Sequence, residues 1–178
     1  MNYQYRIKHQ FDTVMKREKQ SITDYFTGTK YTVFFRTKSR SKDTNEQLRL
    51  YFTEDTAIDN GTIFTYKNEN YVVINKQADE SNIYYTSIAQ KCTQSVPSKG
   101  IAIPFATDNI QATVDKSTAL TTIDGTVIMF TGANSYYDAI TINNSFNAFG
   151  NTYKVMNKYS DNGSLSTKVC KFFISPCF

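Results

Sequence analysis

The chain has 178 residues, a formal net charge of +4, 40% hydrophobic and 20% charged residues, 13 Tyr and 13 Phe with no Trp, and seven Gly. That length holds one large domain or two small ones, and the abundance of aromatic, Thr, Ile and Asn residues favours strands over helices. No run approaches the roughly 18 apolar residues of a membrane span, and the start Met1-Asn2-Tyr3-Gln4-Tyr5-Arg6 has no signal-peptide core, so a membrane role is not expected.

Residues 7–20 carry Ile7, Phe11, Val14 and Met15 on approximately one helical face, which predicts a short N-terminal helix or arm. Thr32-Val33-Phe34-Phe35-Arg36 and Leu48-Arg49-Leu50-Tyr51-Phe52 read as strands. Between them Arg36, Lys38, Arg40 and Lys42 put four cations in seven residues of loop. Residues 1–50 hold eleven Lys/Arg against five Asp/Glu, a net of +6, whereas the remainder holds nine against eleven, a net of −2. The basic character therefore belongs to the N-terminal part, and the loop is the candidate contact for nucleic-acid phosphate.

Asn60-Gly61 signals a turn. Ile63 to Tyr66 and Tyr71 to Asn75, joined across residues 67–70, form a predicted hairpin. Asn82 to Ala89 reads as a further strand, and Ser95 to Gly100, with Pro97, as a linker. Beyond it, 126–130 reads as a strand, 146–149 and 153–158 as a second hairpin, and 169–174 as a closing strand.

The two halves repeat. Tyr71-Val72-Val73-Ile74-Asn75-Lys76 matches Tyr153-Lys154-Val155-Met156-Asn157-Lys158, with Phe64 and Phe146 at one upstream offset and Asp79 and Asp161 at one downstream offset. Tyr31 to Phe35 is set against Gly125 to Met129. The expected fold is mainly β: two small related barrel or sandwich modules, SH3-like, over 1–97 and 98–178, with the helix or arm in front.

Catalytic signatures are absent. His9 is the one histidine, and no nucleotide-binding, zinc-protease or serine-hydrolase string occurs. Glu54-Asp55, Asp79-Glu80, Asp108 and Asp115 fall in polar stretches and read as solvated turn acids, although a glycosidase would need two such acids facing each other. Cys92, Cys170 and Cys177 have no metal-ligand spacing and read as free thiols. No enzyme activity, cofactor or metal is expected. Tyr84-Tyr85 and Tyr136-Tyr137 leave open a virion or surface β module that binds carbohydrate or a receptor, though adjacent tyrosines on a strand point to opposite faces.

Ile58 to Ile74, followed by Asn82-Ile83-Tyr84-Tyr85 and Ala89-Gln90-Lys91-Cys92, carries a turn, a G-x-x-F-x-Y strand, a short turn and a Y-V-V-I strand. In this it resembles the small head–tail connector proteins of tailed bacteriophages, known as head-closure, stopper or neck proteins. Asp12 to Arg17 is similar to their N-terminal segment, and the resemblance covers roughly residues 10–92. It implies a virion structural protein, assembled in the host cytoplasm as a homo-oligomeric ring that joins the portal and head to the tail. Portal or adaptor proteins and tail or neck proteins are then the partners. Packaged DNA would pass through the lumen, where Arg36, Lys38, Arg40 and Lys42 would make non-specific contact, while Phe11, Val14, Met15 and Arg17 would form a docking arm. The second module departs from the usual single-barrel connector.

Overall fold

A computed structural model describes residues 3–37, 47–109, 127–132, 135–148, 150–160 and 169–176. Along the chain lie α1 (Tyr3–Glu18), β1 (Gln20–Asp24), β2 (Lys30–Thr37), β3 (Gln47–Phe52), β4 (Ile63–Tyr66), β5 (Glu69–Ala78) and β6 (Tyr85–Lys91). They are followed by β7 (Gln94–Ser98), β8 (Ile101–Asn109), β9 (Val127–Gly132), α2 (Ser135–Asp138), β10 (Ser145–Ala148), β11 (Asn151–Ser160) and β12 (Val169–Pro176). The protein is mainly β, with a closed six-stranded barrel and a short N-terminal helix, as the composition implies.

α1 forms because residues 3–18 contain no Gly or Pro, and Lys16 and Arg17 in its last turn complement the helix dipole. It buries one side chain, Phe11. β1 to β6 close into a barrel in the order β1-β2-β3-β6-β5-β4, every pair antiparallel. The β4–β5 connection is a two-residue turn in which Lys67 and Asn68 both have positive φ (49° and 64°), the geometry whose twist matches a hairpin. Ile22, Val33, Leu50, Phe52, Ile58, Phe64, Tyr71, Val73 and Ala89 fill the interior. Strand alternation sends Val72 outward between Tyr71 and Val73, yet all three are buried. A run buried on both faces means something covers the barrel there.

That cover is the second module. Ile63, Val72 and Ala106 pack together with Tyr25, Ile74, Cys92 and Phe130 around them. Gln90 donates from its buried amide to the carbonyl of Thr107 (2.9 Å), and the Tyr25 hydroxyl donates to the carbonyl of Ala102 (2.7 Å). The carbonyl oxygen of Gly61 would lie 2.0 Å from a Cβ at Gly132, so backbone meets backbone there and glycine is required.

β7 to β12 form a sheet in the order β10-β11-β12-β9-β8-β7. Read from its other edge, each strand is the counterpart of the one six earlier in the chain, so the duplication is present as topology. β5 and β11 both carry a register irregularity at matching points, Val73/Asn75 and Val155/Asn157. Val73 exchanges backbone hydrogen bonds with Gly61 and Thr62, and Val155 does the same with Asn143 and Asn144. Lys76 donates to the carbonyl of Ile58 (2.7 Å) and Lys158 to that of Ile140 (2.7 Å). Each ammonium also lies over an aromatic ring, Tyr85 at 4.7 Å and Tyr137 at 4.3 Å. The ladders make Ile22, Val33, Leu50, Phe64 and Tyr71 equivalent to Val96, Phe105, Met129, Phe146 and Tyr153, all buried.

Three sequence readings change. Residues 95–100 are not a linker: they form β7 and its turn, with Lys99 and Gly100 at positive φ (46° and 81°). Residues 31–35 correspond to β8, not to 125–129, because β9 is the counterpart of β3. Tyr136 and Tyr137 lie in α2.

The modules also differ. The first is sealed by β1–β4 pairing, Thr23 to Thr65 and Asp24 to Phe64. Among the described residues the second has no β7–β10 ladder. By register Pro97 occupies the place of Thr23, and proline has no N–H to give to a ladder.

Candidate functional site

A recess lies between α1 and the outer face of β2 and β3. It is an open groove of about 670 Å³, with Phe34, Tyr51 and Tyr84 on the barrel side, Val14 and Thr13 on the helix side, and Arg36 at the rim. Its floor is aromatic because Phe34 and Tyr51 are register partners across β2–β3 and stack at 4.6 Å. Phe11 descends from α1 onto this floor, parallel to Tyr84 at 4.8 Å and tilted against Phe34 at 5.7 Å. Burial raises the Tyr84 hydroxyl above the usual tyrosine value, and the Asp79 charge pushes the same way. Phe11 is thus the one buried fastener of α1, while Tyr3 and Tyr5 are 71% and 62% exposed. Of the predicted arm residues, Val14 and Met15 are half-buried and Arg17 is exposed, paired with its neighbour Glu18 at 2.6 Å.

Arg36 and Arg49 face each other across β2–β3, and both are exposed. Like charges directly opposite on a sheet repel. No ion pair to either is present among the described residues. Lys38, Arg40 and Lys42, the rest of the predicted basic loop, lie outside the described residues. Sequence reading named Arg36 and missed Arg49; the signal was its place in the strand facing Arg36.

The candidate acids do not converge as a facing pair of known role. Glu54 and Asp55 line a recess on the other side of α1, together with Asp12 and Lys8. Asp79 is occupied by its own turn, accepting from the backbone N–H groups of Ser81, Ile83 and Tyr84. The Asp108 side chain and Asp115 lie outside the described residues. Lys91 and Tyr71 donate to Glu69 and hold its carboxyl below the usual range. His9 is exposed on α1, its ring parallel to Tyr5 at 6.4 Å. Among the described residues no group of three or more His, Cys, Asp or Glu side chains is placed to hold a metal ion. Burial pushes the Cys92 thiol up to about 12, which leaves it a poor nucleophile at neutral pH. Cys177 lies outside the described residues.

The tyrosine pairs do not form one platform. Tyr84 lines the α1 recess, whereas Tyr85 packs on Phe52. Tyr137 is buried in the second core, and Tyr136 stacks on Phe26 at 5.6 Å. No helix among the described residues is long and apolar enough to cross a membrane.

No family model, curated protein or solved structure matches the chain. The site is therefore defined by its own geometry: an aromatic recess beneath α1, on the outer face of the first module, with Arg36 at its rim.

Proposed function

We propose that the chain is a structural assembly protein of a tailed-phage neck, a virion component that forms a ring joining portal and head to tail. The observation that carries this reading is the aromatic recess between a helix with one fully buried side chain, Phe11, and the outer wall of a barrel. A preformed apolar groove can receive a neighbour. Duplication adds to this, since two β modules in tandem offer separate outer surfaces to subunits beside, above and below. The exposed Arg36–Arg49 pair gives one face of the barrel a positive charge suited to phosphate without base readout, as a DNA channel requires.

The test is assembly. Purified chain is examined by negative-stain microscopy alone and after mixing with portal-bearing, DNA-filled particles that lack a neck. Rings, or density added at the portal vertex, support the reading. A chain that stays monomeric and leaves the vertex bare sinks it.

A further inference from the structure

The two modules meet through unlike faces. The first contributes a trailing face: Ile63, Val72 and Ile74 on β4 and β5, with the Asn60-Gly61 turn beside them. The second contributes a leading face: Ala106 and Phe130, register partners on β8 and β9. Because the chain is duplicated, each face recurs on the other module. The leading face of the first module is Phe34 and Tyr51, the floor of the recess beneath α1. The trailing face of the second is Ser145, Lys154 and Met156, with Ile142 in the place of Asn60. Met156 and Ile142 are 54% and 49% exposed, large apolar side chains in the open on that face.

The chain therefore bears, at its two ends, the two halves of the contact that joins its modules in the middle. We propose that the α1 recess receives the Ile142–Met156 face of a second copy of this chain, repeating between molecules the contact made within each one. Phe11 covers part of the leading face, as a terminal cap does in repeat proteins, and leaves the remainder open as the groove. An unbranched thioether suits an aromatic wall, and Met156 has one to offer Tyr51 and Tyr84. The contact between copies is more polar than the contact within the chain, since Ser145 and Lys154 stand where Ile63 and Val72 are buried. That difference fits a surface exposed in the folded monomer and covered only on association. Such an interface is heterologous: each copy gives one face and takes another, so copies add in sequence until rotation closes a ring or the chain stays open.

The proposal depends on the neck reading only for closure into a ring. Its test uses the full chain, with sedimentation velocity over a concentration series. Wild type is expected to self-associate. Met156→Glu with Ile142→Glu removes the donating face, and Gln10→Arg with Thr13→Arg obstructs the groove from the exposed side of α1. All four positions are exposed, so both double variants should keep the wild-type melting temperature, and each alone should be at least tenfold weaker in association. Mixed in equal amounts, they should form heterodimers and nothing larger, because each retains the face the other lacks. Wild type that remains monomeric at every concentration, a donating-face variant that associates like wild type, or a mixture without heterodimers overturns the proposal. Rings of unchanged size in the Met156→Glu, Ile142→Glu chain would sink this contact and leave the neck reading standing. Head-to-tail association by a chain that never joins a portal vertex would do the reverse.

Discussion

Asp79 stands at the entry to the β5–β6 turn. Burial alone would raise its pKa, but the Ser81 hydroxyl and the N–H groups of Tyr84, Ile83 and Ser81 stabilise the anion and lower it. Glu69 is lowered as well, by Lys91 and then Tyr71. A carboxyl whose folded pKa lies below its unfolded value adds stability that is complete above the unfolded value and lost as pH falls through the folded one. The melting temperature should therefore hold from pH 7 down to about 5 and fall below about pH 4. Asp79→Asn should reduce the size of that acid-side drop, which thermal scans across the range would measure; an unchanged drop would remove Asp79 from the account. A polar turn starting at Asp79 was legible in the sequence. Its hydrogen-bond partners were not, because they depend on the chain folding back through Asn82 at positive φ. The tyrosine doublets were legible only in part, since a one-residue alternation rule applies to Tyr84-Tyr85 but not to a helical Tyr136-Tyr137.

At the scale of elements, strands declared themselves where one face is buried and turns where Asn-Gly or a short polar tetrad intervenes. The stretch at Pro97 did not, because proline and glycine mark a break in most settings but are tolerated on an edge strand and in a two-residue turn. The docking of one module on the other was hidden in Tyr71-Val72-Val73-Ile74, whose continuous apolar character is the trace of a strand covered on both sides. One tight point of that docking is the Gly61–Gly132 approach. Gly132→Ala would place a methyl against a carbonyl oxygen and force the modules apart. The expected destabilisation is about 3 kcal/mol, at the upper end of overpacking effects, read from the denaturation midpoint in urea. A cost under about 0.5 kcal/mol, the usual range for a surface change, would show that the modules separate freely. The groove beside α1 was not legible at all: helical spacing identified Phe11, but nothing in spacing alone says which barrel residues it meets.

For the whole molecule, the duplication was read correctly where it was carried by letters, in the strings beginning at Tyr71 and Tyr153. It was misread upstream, where Val33 and Leu50 share only apolar character with Phe105 and Met129 and the loops between them differ in length. Ladder order restores the correspondence, and with it one departure from symmetry. Among the described residues the second module has no ladder along the line where Pro97 stands, whereas its twin is paired at Thr23 and Asp24. The closed barrel and the open sheet should therefore differ in how readily they open. Under native conditions, deuterium should enter the amides of β10 well before those of β4, and equal uptake at the two strands would show that the gap between β7 and β10 is bridged in solution. If that line does open first, thermal or mechanical load on the molecule will find its weak point there, and the sealed barrel will be the last part to yield.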